Sequence, residues 1–201
     1  MMQHAPLFIV LLPVSAALLC MLFSRIQKNL GSWIVIGSIV AAFMSAVTVL
    51  QQIIADGGKP IHYWMGNWQP PLGIEFVIDP ISGVLAVLIT FISLLGSLYS
   101  LPFVKEEGWL HIGGYYTLYG LMTVGMCGMV ITGDVFNLYV FLEVMSLSGY
   151  GLIALGGKKS MLAAFRYLLI GTIGASLYLL GVGYMYALTG TLNMADMAVR
   201  A

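Results

Sequence analysis

Charge is what this sequence has least of. Only 8% of its 201 residues are Asp, Glu, Lys or Arg, where ordinary soluble domains carry about 25%. Basic and acidic residues number eight each, so there is no net positive field to hold nucleic acid phosphates. Cysteine is nearly absent too. Cys20 and Cys127 both sit inside apolar runs, which excludes a disulfide framework. No Walker loop, dinucleotide glycine fingerprint or cysteine cluster occurs, so neither a bound redox cofactor nor a metal is expected. What the chain has in plenty is apolar surface. Hydrophobic residues make up 60% of it and mean hydropathy is +0.98. A soluble globule and a disordered chain are both excluded, and an all-α integral membrane protein remains.

A helix needs roughly 20 apolar residues to cross the hydrocarbon core. Six stretches qualify, at about 5–23, 32–55, 80–104, 111–132, 134–156 and 161–188. Every charged residue except Glu143 and Arg166 falls outside these spans or at their edges. The first span lacks a basic leader and contains Pro13, so it reads as a membrane helix and not as a cleaved signal.

Lys and Arg in short loops set orientation. Arg25, Lys28, Lys105, Lys158 and Lys159 follow spans 1, 3 and 5, against Lys59 and Arg200 on the other side. That bias places loops 1, 3 and 5 in the cytoplasm and the N-terminus outside the cell's inner (plasma) membrane. Asp79-Pro80 and Gly133-Asp134 read as helix starts, with transport roles for the two aspartates as the other option. Gly156-Gly157 reads as a helix end, with Ser160 capping the next helix. Between spans 2 and 3, the β-prone runs Ile61–Met65 and Ile74–Ile78 flank a turn-rich Gly66–Gly73. They predict an outer hairpin, with Trp64 and Trp68 in the interfacial belt and His62 as a surface residue. The chain divides at this point into residues 1–79, two helices and the hairpin, and residues 80–201, helices 3–6.

Glu143 lies about nine residues into span 5, roughly 13 Å deep. An ionisable side chain there is a functional candidate by default. Desolvation favours the neutral form of a carboxyl and a nearby cation favours the charged form. A carboxyl balanced between the two takes up and releases protons. Tyr139, Glu143, Ser146 and Tyr150 follow at spacings of four, three and four, which puts them on one helix face. Val140, Val144 and Leu147 lie on the other side. The alternative is a buried glutamate that acts as interhelical glue. Arg166 is either a charge partner for Glu143 or a snorkelling side chain. His111, at the start of span 4, is a candidate proton-entry group or an ordinary interfacial histidine. Tyr167, Gly171, Gly174, Tyr178 and Gly181 mark a packing face on span 6.

The run Thr-Gly-Asp-Val-Phe-Asn-Leu-Tyr-Val-Phe-Leu-Glu (132–143) and its continuation to Leu155 resemble the fifth helix of antiporter-like membrane subunits. These occur in respiratory complex I, membrane-bound hydrogenases and multisubunit Mrp-type sodium/proton antiporters. The form here is most like the Mrp-type D subunit. Residues 68–80, 163–171 and 188–195 resemble the hairpin, sixth helix and following loop of that family. The resemblance implies that Glu143 is the key carboxylate of proton translocation, working with a lysine on a seventh helix in a fold of two inverted five-helix repeats. It also implies other membrane subunits as partners, with protons and sodium as cargo. This chain stops before that seventh helix, and Arg166 stands where lysine is more usual. The resemblance therefore implies the N-terminal portion of a proton-translocating antiporter subunit. The alternatives are the proton-pumping membrane arm of an NADH-quinone oxidoreductase or hydrogenase complex, and a structural scaffold or nonfunctional remnant. In none of these does the chain carry catalytic chemistry of its own.

Overall fold

The computed structural model describes residues 4–27, 29–70, 73–104 and 109–200. Lys28 and Lys105 of the orientation argument, and Pro71 and Leu72 of the expected hairpin turn, lie outside the described residues. Among the described residues, six helices are long and apolar enough to cross a membrane. They are α1 (Ala5–Ile26), α2 (Leu30–Ala55), α3 (Pro80–Val104), α4 (Trp109–Ile131), α5 (Val135–Ala154) and α6 (Lys158–Thr189). The six-span expectation holds, with ends displaced by a few residues.

The helix starts follow local chemistry. Asp79 and Ser82 form a reciprocal cap: the Ser82 N–H donates to Asp79 Oδ1 at 2.7 Å, and the Asp79 N–H donates to Ser82 Oγ at 2.8 Å. Asp134 accepts the Asn137 N–H at 2.7 Å and caps α5. Ser160 does not cap α6. That helix starts one turn earlier, after Gly157 with φ of 101°, a backbone conformation that glycine adopts without steric cost.

α4 is the centre of the bundle, packed against α1, α2, α3 and α5. Small residues let it approach α5. A Cβ on Gly128 would overlap the Phe141 ring, and one on Gly125 would lie 2.6 Å from Met145 Cβ. Hydroxyls tie it to α3: Tyr119 donates to the Ser93 carbonyl at 2.9 Å, and Tyr116 lies 3.1 Å from Ser100 Oγ. The apolar interior forms two clusters. One, around Ile9, Val49, Ile53, Phe76 and Ile131, lies toward the hairpin. The other, around Cys20, Val35, Ile39 and Ile112, lies toward the opposite membrane face.

The hairpin is present. Strands β1 (Ile61–Trp64) and β2 (Glu75–Ile78) pair antiparallel with Trp64 opposite Glu75. It is more than a cover. The Gly133 N–H donates to the Glu75 carbonyl at 2.9 Å, and the Met194 N–H donates to the Gly133 carbonyl at 2.9 Å. The hairpin, the α4–α5 corner and the segment that follows α6 are thus hydrogen-bonded in series. This satisfies backbone groups where no helix can. A short helix α7 (Met194–Arg200) comes next; the sequence pattern did not predict it. Its start is marked by Asn193, whose Oδ1 accepts the Asp196 N–H at 3.1 Å.

Candidate functional site

The capped start of α5 sets the depth of everything along it. Asn137 also donates from Nδ2 to Thr132 Oγ1 at 3.0 Å, so the corner before α5 is held from both sides. Glu143 is the ninth residue of this 20-residue helix. It lies about 12 Å from the helix start, close to the middle. Its side chain is half-buried.

The face expected to be polar points at α6. Tyr139 stacks on Tyr178 with ring centroids 6.3 Å apart and planes within 6°. Tyr178 also donates from its hydroxyl to the Val135 carbonyl at 3.0 Å. Further along α5, Tyr150 is buried edge-to-face against Tyr167 at 4.7 Å. These two pairs define an antiparallel register. It brings Glu143 level with Gly174, and Ser146 level with Gly171. A Cβ on Gly174 would meet nothing within 4 Å. The helical period puts Glu143 on the α5 face whose tyrosines meet α6, at a level between the two tyrosine pairs. Among the described residues neither Glu143 nor Ser146 has a side-chain hydrogen-bond partner in the protein. Val140 and Leu147 are exposed on the far side of α5.

Arg166 is not brought to Glu143. It is exposed in the third turn of α6, and the register places it level with Gly151. Eight residues separate that level from Glu143, about 12 Å along the helix. Among the described residues the two form no ion pair. His111 lies near the start of α4, half-buried, at the bundle end opposite the hairpin.

One cluster was missed. Glu75 is 5% exposed, and its carboxylate meets three donors. His62 Nδ1 lies 2.6 Å from Oε1, Trp64 Nε1 lies 3.2 Å from the same oxygen, and Asn193 Nδ2 lies 2.8 Å from Oε2. His62 is thus a half-exposed member of a pair and not an isolated surface residue. Strand alternation was the available signal. His62 and Trp64 share one face of β1, and the hairpin register sets that face beside Glu75. Asn193, 118 residues away in sequence, carried no such signal.

Among the described residues, six candidate membrane helices with a carboxyl midway along the fifth form an architecture that suits an antiporter-like membrane protein. Comparison with known proteins agrees. Residues 132–200 match the family described as "NADH:quinone oxidoreductase/Mrp antiporter, TM", and nearly the whole chain is similar to membrane subunits of that group. It is 44% identical over 199 residues to the NADH-quinone oxidoreductase subunit N of Desulforudis audaxviator, covering 99% of this chain and 40% of that protein. It is 32% identical over 192 residues to the D-type Na(+)/H(+) antiporter subunit of Bacillus subtilis, covering 95% and 38%. The likeness is therefore not confined to the antiporter D type. Among solved structures, a chain of the archaeal membrane-bound sulfane sulfur reductase superposes with a TM-score of 0.91 at 32% identity, over 99% of this chain and 40% of that one. The Mrp complex of a Dietzia species shares the fold, with a TM-score of 0.81 at 24% identity over 99% and 39%. The chain thus spans about two-fifths of the length of these relatives, and aligns with their N-terminal part.

Proposed function

We propose that this chain is part of a proton-translocating subunit of a multisubunit cation/proton antiporter, with Glu143 as the group that binds and releases the proton. The observation that carries this reading is the placement of Glu143. It sits midway along α5, on the face whose tyrosines meet α6 and between the two tyrosine pairs. A carboxyl there can change charge with protonation, which an amide cannot. Tyr139, Ser146 and Tyr150 shape that face. Arg166, about two turns away, biases the charge at long range, and His111 is the entry group on the opposite face. The division at residue 79/80 separates a supporting segment from the start of the translocating part. Relatives named as Na(+)/H(+) antiporter subunits support protons and sodium as cargo and further membrane subunits as partners. The lysine bias supports a plasma-membrane orientation with the hairpin outside.

The test is Glu143→Gln in the full-length protein within its complex, reconstituted in vesicles. Loss of cation/proton exchange with assembly intact is expected. Exchange at the wild-type rate sinks the proposal.

A second reading has its own support, the 44% identity to an NADH-quinone oxidoreductase subunit. In it, the same carboxyl serves the proton-pumping arm of a redox complex. Quinone reduction that co-purifies with the complex distinguishes the two. The scaffold reading predicts that Glu143→Gln leaves transport untouched.

A further inference from the structure

Glu75 is buried, and every hydrogen bond its carboxylate accepts comes from a side chain of β1 or from Asn193. Its partner His62 is different: the imidazole is 48% exposed while the Glu75 side chain is 7% exposed. The pair therefore runs from bulk water at the hairpin face to a buried carboxylate. Both side chains also line a partly open cavity of about 280 Å³, together with Asp79, Ser82, Thr132, Asn193 and others.

We propose that His62 and Glu75 form a second proton-exchange site, on the hairpin face, which passes protons between bulk water and this cavity. Its use in transport rests on the reading of Glu143 above, but the exchange itself does not. Glu143 lies about 12 Å deeper along α5, so the two are separate sites.

The chemistry needs only proton transfer. With Glu75 ionised, the Nδ1–H of neutral His62 donates to Oε1. A proton from bulk water adds at Nε2 and gives an imidazolium–carboxylate pair. Transfer of the Nδ1 proton to Oε1 leaves a neutral imidazole and a carboxylic acid. The acid releases its proton to water in the cavity and the carboxylate reforms. N–H exchange with solvent returns the imidazole to its first tautomer. Trp64 and Asn193 hold the carboxylate in place as positioning residues, since neither side chain titrates.

The surrounding charges are few. Asp79, which caps α3, lines the cavity, as do Val130 of α4 and Thr132 of the α4–α5 corner. The start of α5 brings Asp134, bridged to Asn193 through the backbone. On α7, Asp196 faces Arg200 at 4.0 Å. Asp79 is committed to its cap. The His62–Glu75 pair is thus the site at this mouth with both a solvent-facing and a cavity-facing titratable group.

The experiment is pH-dependent infrared difference spectroscopy on the full-length protein in its complex, with cation/proton exchange measured on the same vesicles. Wild type should show a protonated-carboxyl band that Glu75→Gln removes and that His62→Gln displaces along the pH axis. His62→Gln should also slow exchange and alter its pH profile. A spectrum unchanged by both variants overturns the proposal, as does an exchange pH profile in His62→Gln that matches wild type. His62 is half-exposed, so its variant keeps the test sharp if Glu75→Gln fails to assemble. Wild-type exchange in Glu143→Gln would remove the transport reading and leave the carboxyl band of Glu75 standing.

Discussion

Tyr139 of α5 lies flat against Tyr178 of α6, their ring planes within 6° of parallel. Eleven residues on along α5 and eleven residues back along α6, Tyr150 meets Tyr167. This matched spacing sets the register of the two helices and puts Glu143 at the level of Gly174, between the pairs. Removing the carboxyl proton-binding capacity with Glu143→Gln should keep both aromatic pairs, and so keep the bundle. Exchange should be lost while the thermal unfolding midpoint stays near wild type.

Tyr178→Phe separates stacking from hydrogen bonding. The ring stays against Tyr139, but the hydroxyl that donates to the Val135 carbonyl at 3.0 Å is gone. The expected cost is about 1 kcal/mol. Chemical unfolding of the full-length protein in detergent checks it.

Gly171 and Gly174 should respond in opposite ways to alanine. A Cβ at 171 falls on the Tyr150 hydroxyl, whereas one at 174 meets nothing. Gly171→Ala should destabilise by roughly 1–3 kcal/mol through overpacking. Gly174→Ala should be neutral or stabilise by up to about 1 kcal/mol through backbone entropy. Paired melting curves decide, and equal effects would refute the register.

Asp79 should make the hairpin end acid-sensitive. The backbone N–H of Ser82, then its hydroxyl, hold the Asp79 carboxyl below the usual carboxylate range. A lowered folded-state value means that the cap stabilises above the unfolded value and is lost as pH falls through the folded one. Asp79→Ala should cost about 1 kcal/mol at neutral pH. The gap between variant and wild type should close in acid, as followed by melting temperature against pH.

The spans were legible because hydrocarbon imposes a length and excludes charge. Glu143 stood out for the same reason, and the 3.6-residue period put Tyr139, Ser146 and Tyr150 on its face. The caps at Asp79 and Asp134 were legible because the contact reaches only three residues. The start of α6 falls after Gly157 and not at Ser160, because a glycine in a left-handed turn leaves no side-chain signature. α7 went unseen because seven residues carry little periodicity.

Composition and local pattern by themselves determined that this chain is a six-span helical membrane protein with one carboxyl at mid-depth. Both properties arise from interactions within a single helix or between a helix and its solvent. Only the tertiary structure decided that Glu143 lies on the α6-facing side of the bundle, level with Gly174 and about two turns from Arg166. It alone joined Glu75 to His62, Trp64 and Asn193. Those relations depend on how separate elements are set against one another. Side-chain contacts between elements fix that setting, and a hydrogen bond spanning 118 residues leaves no trace in local periodicity.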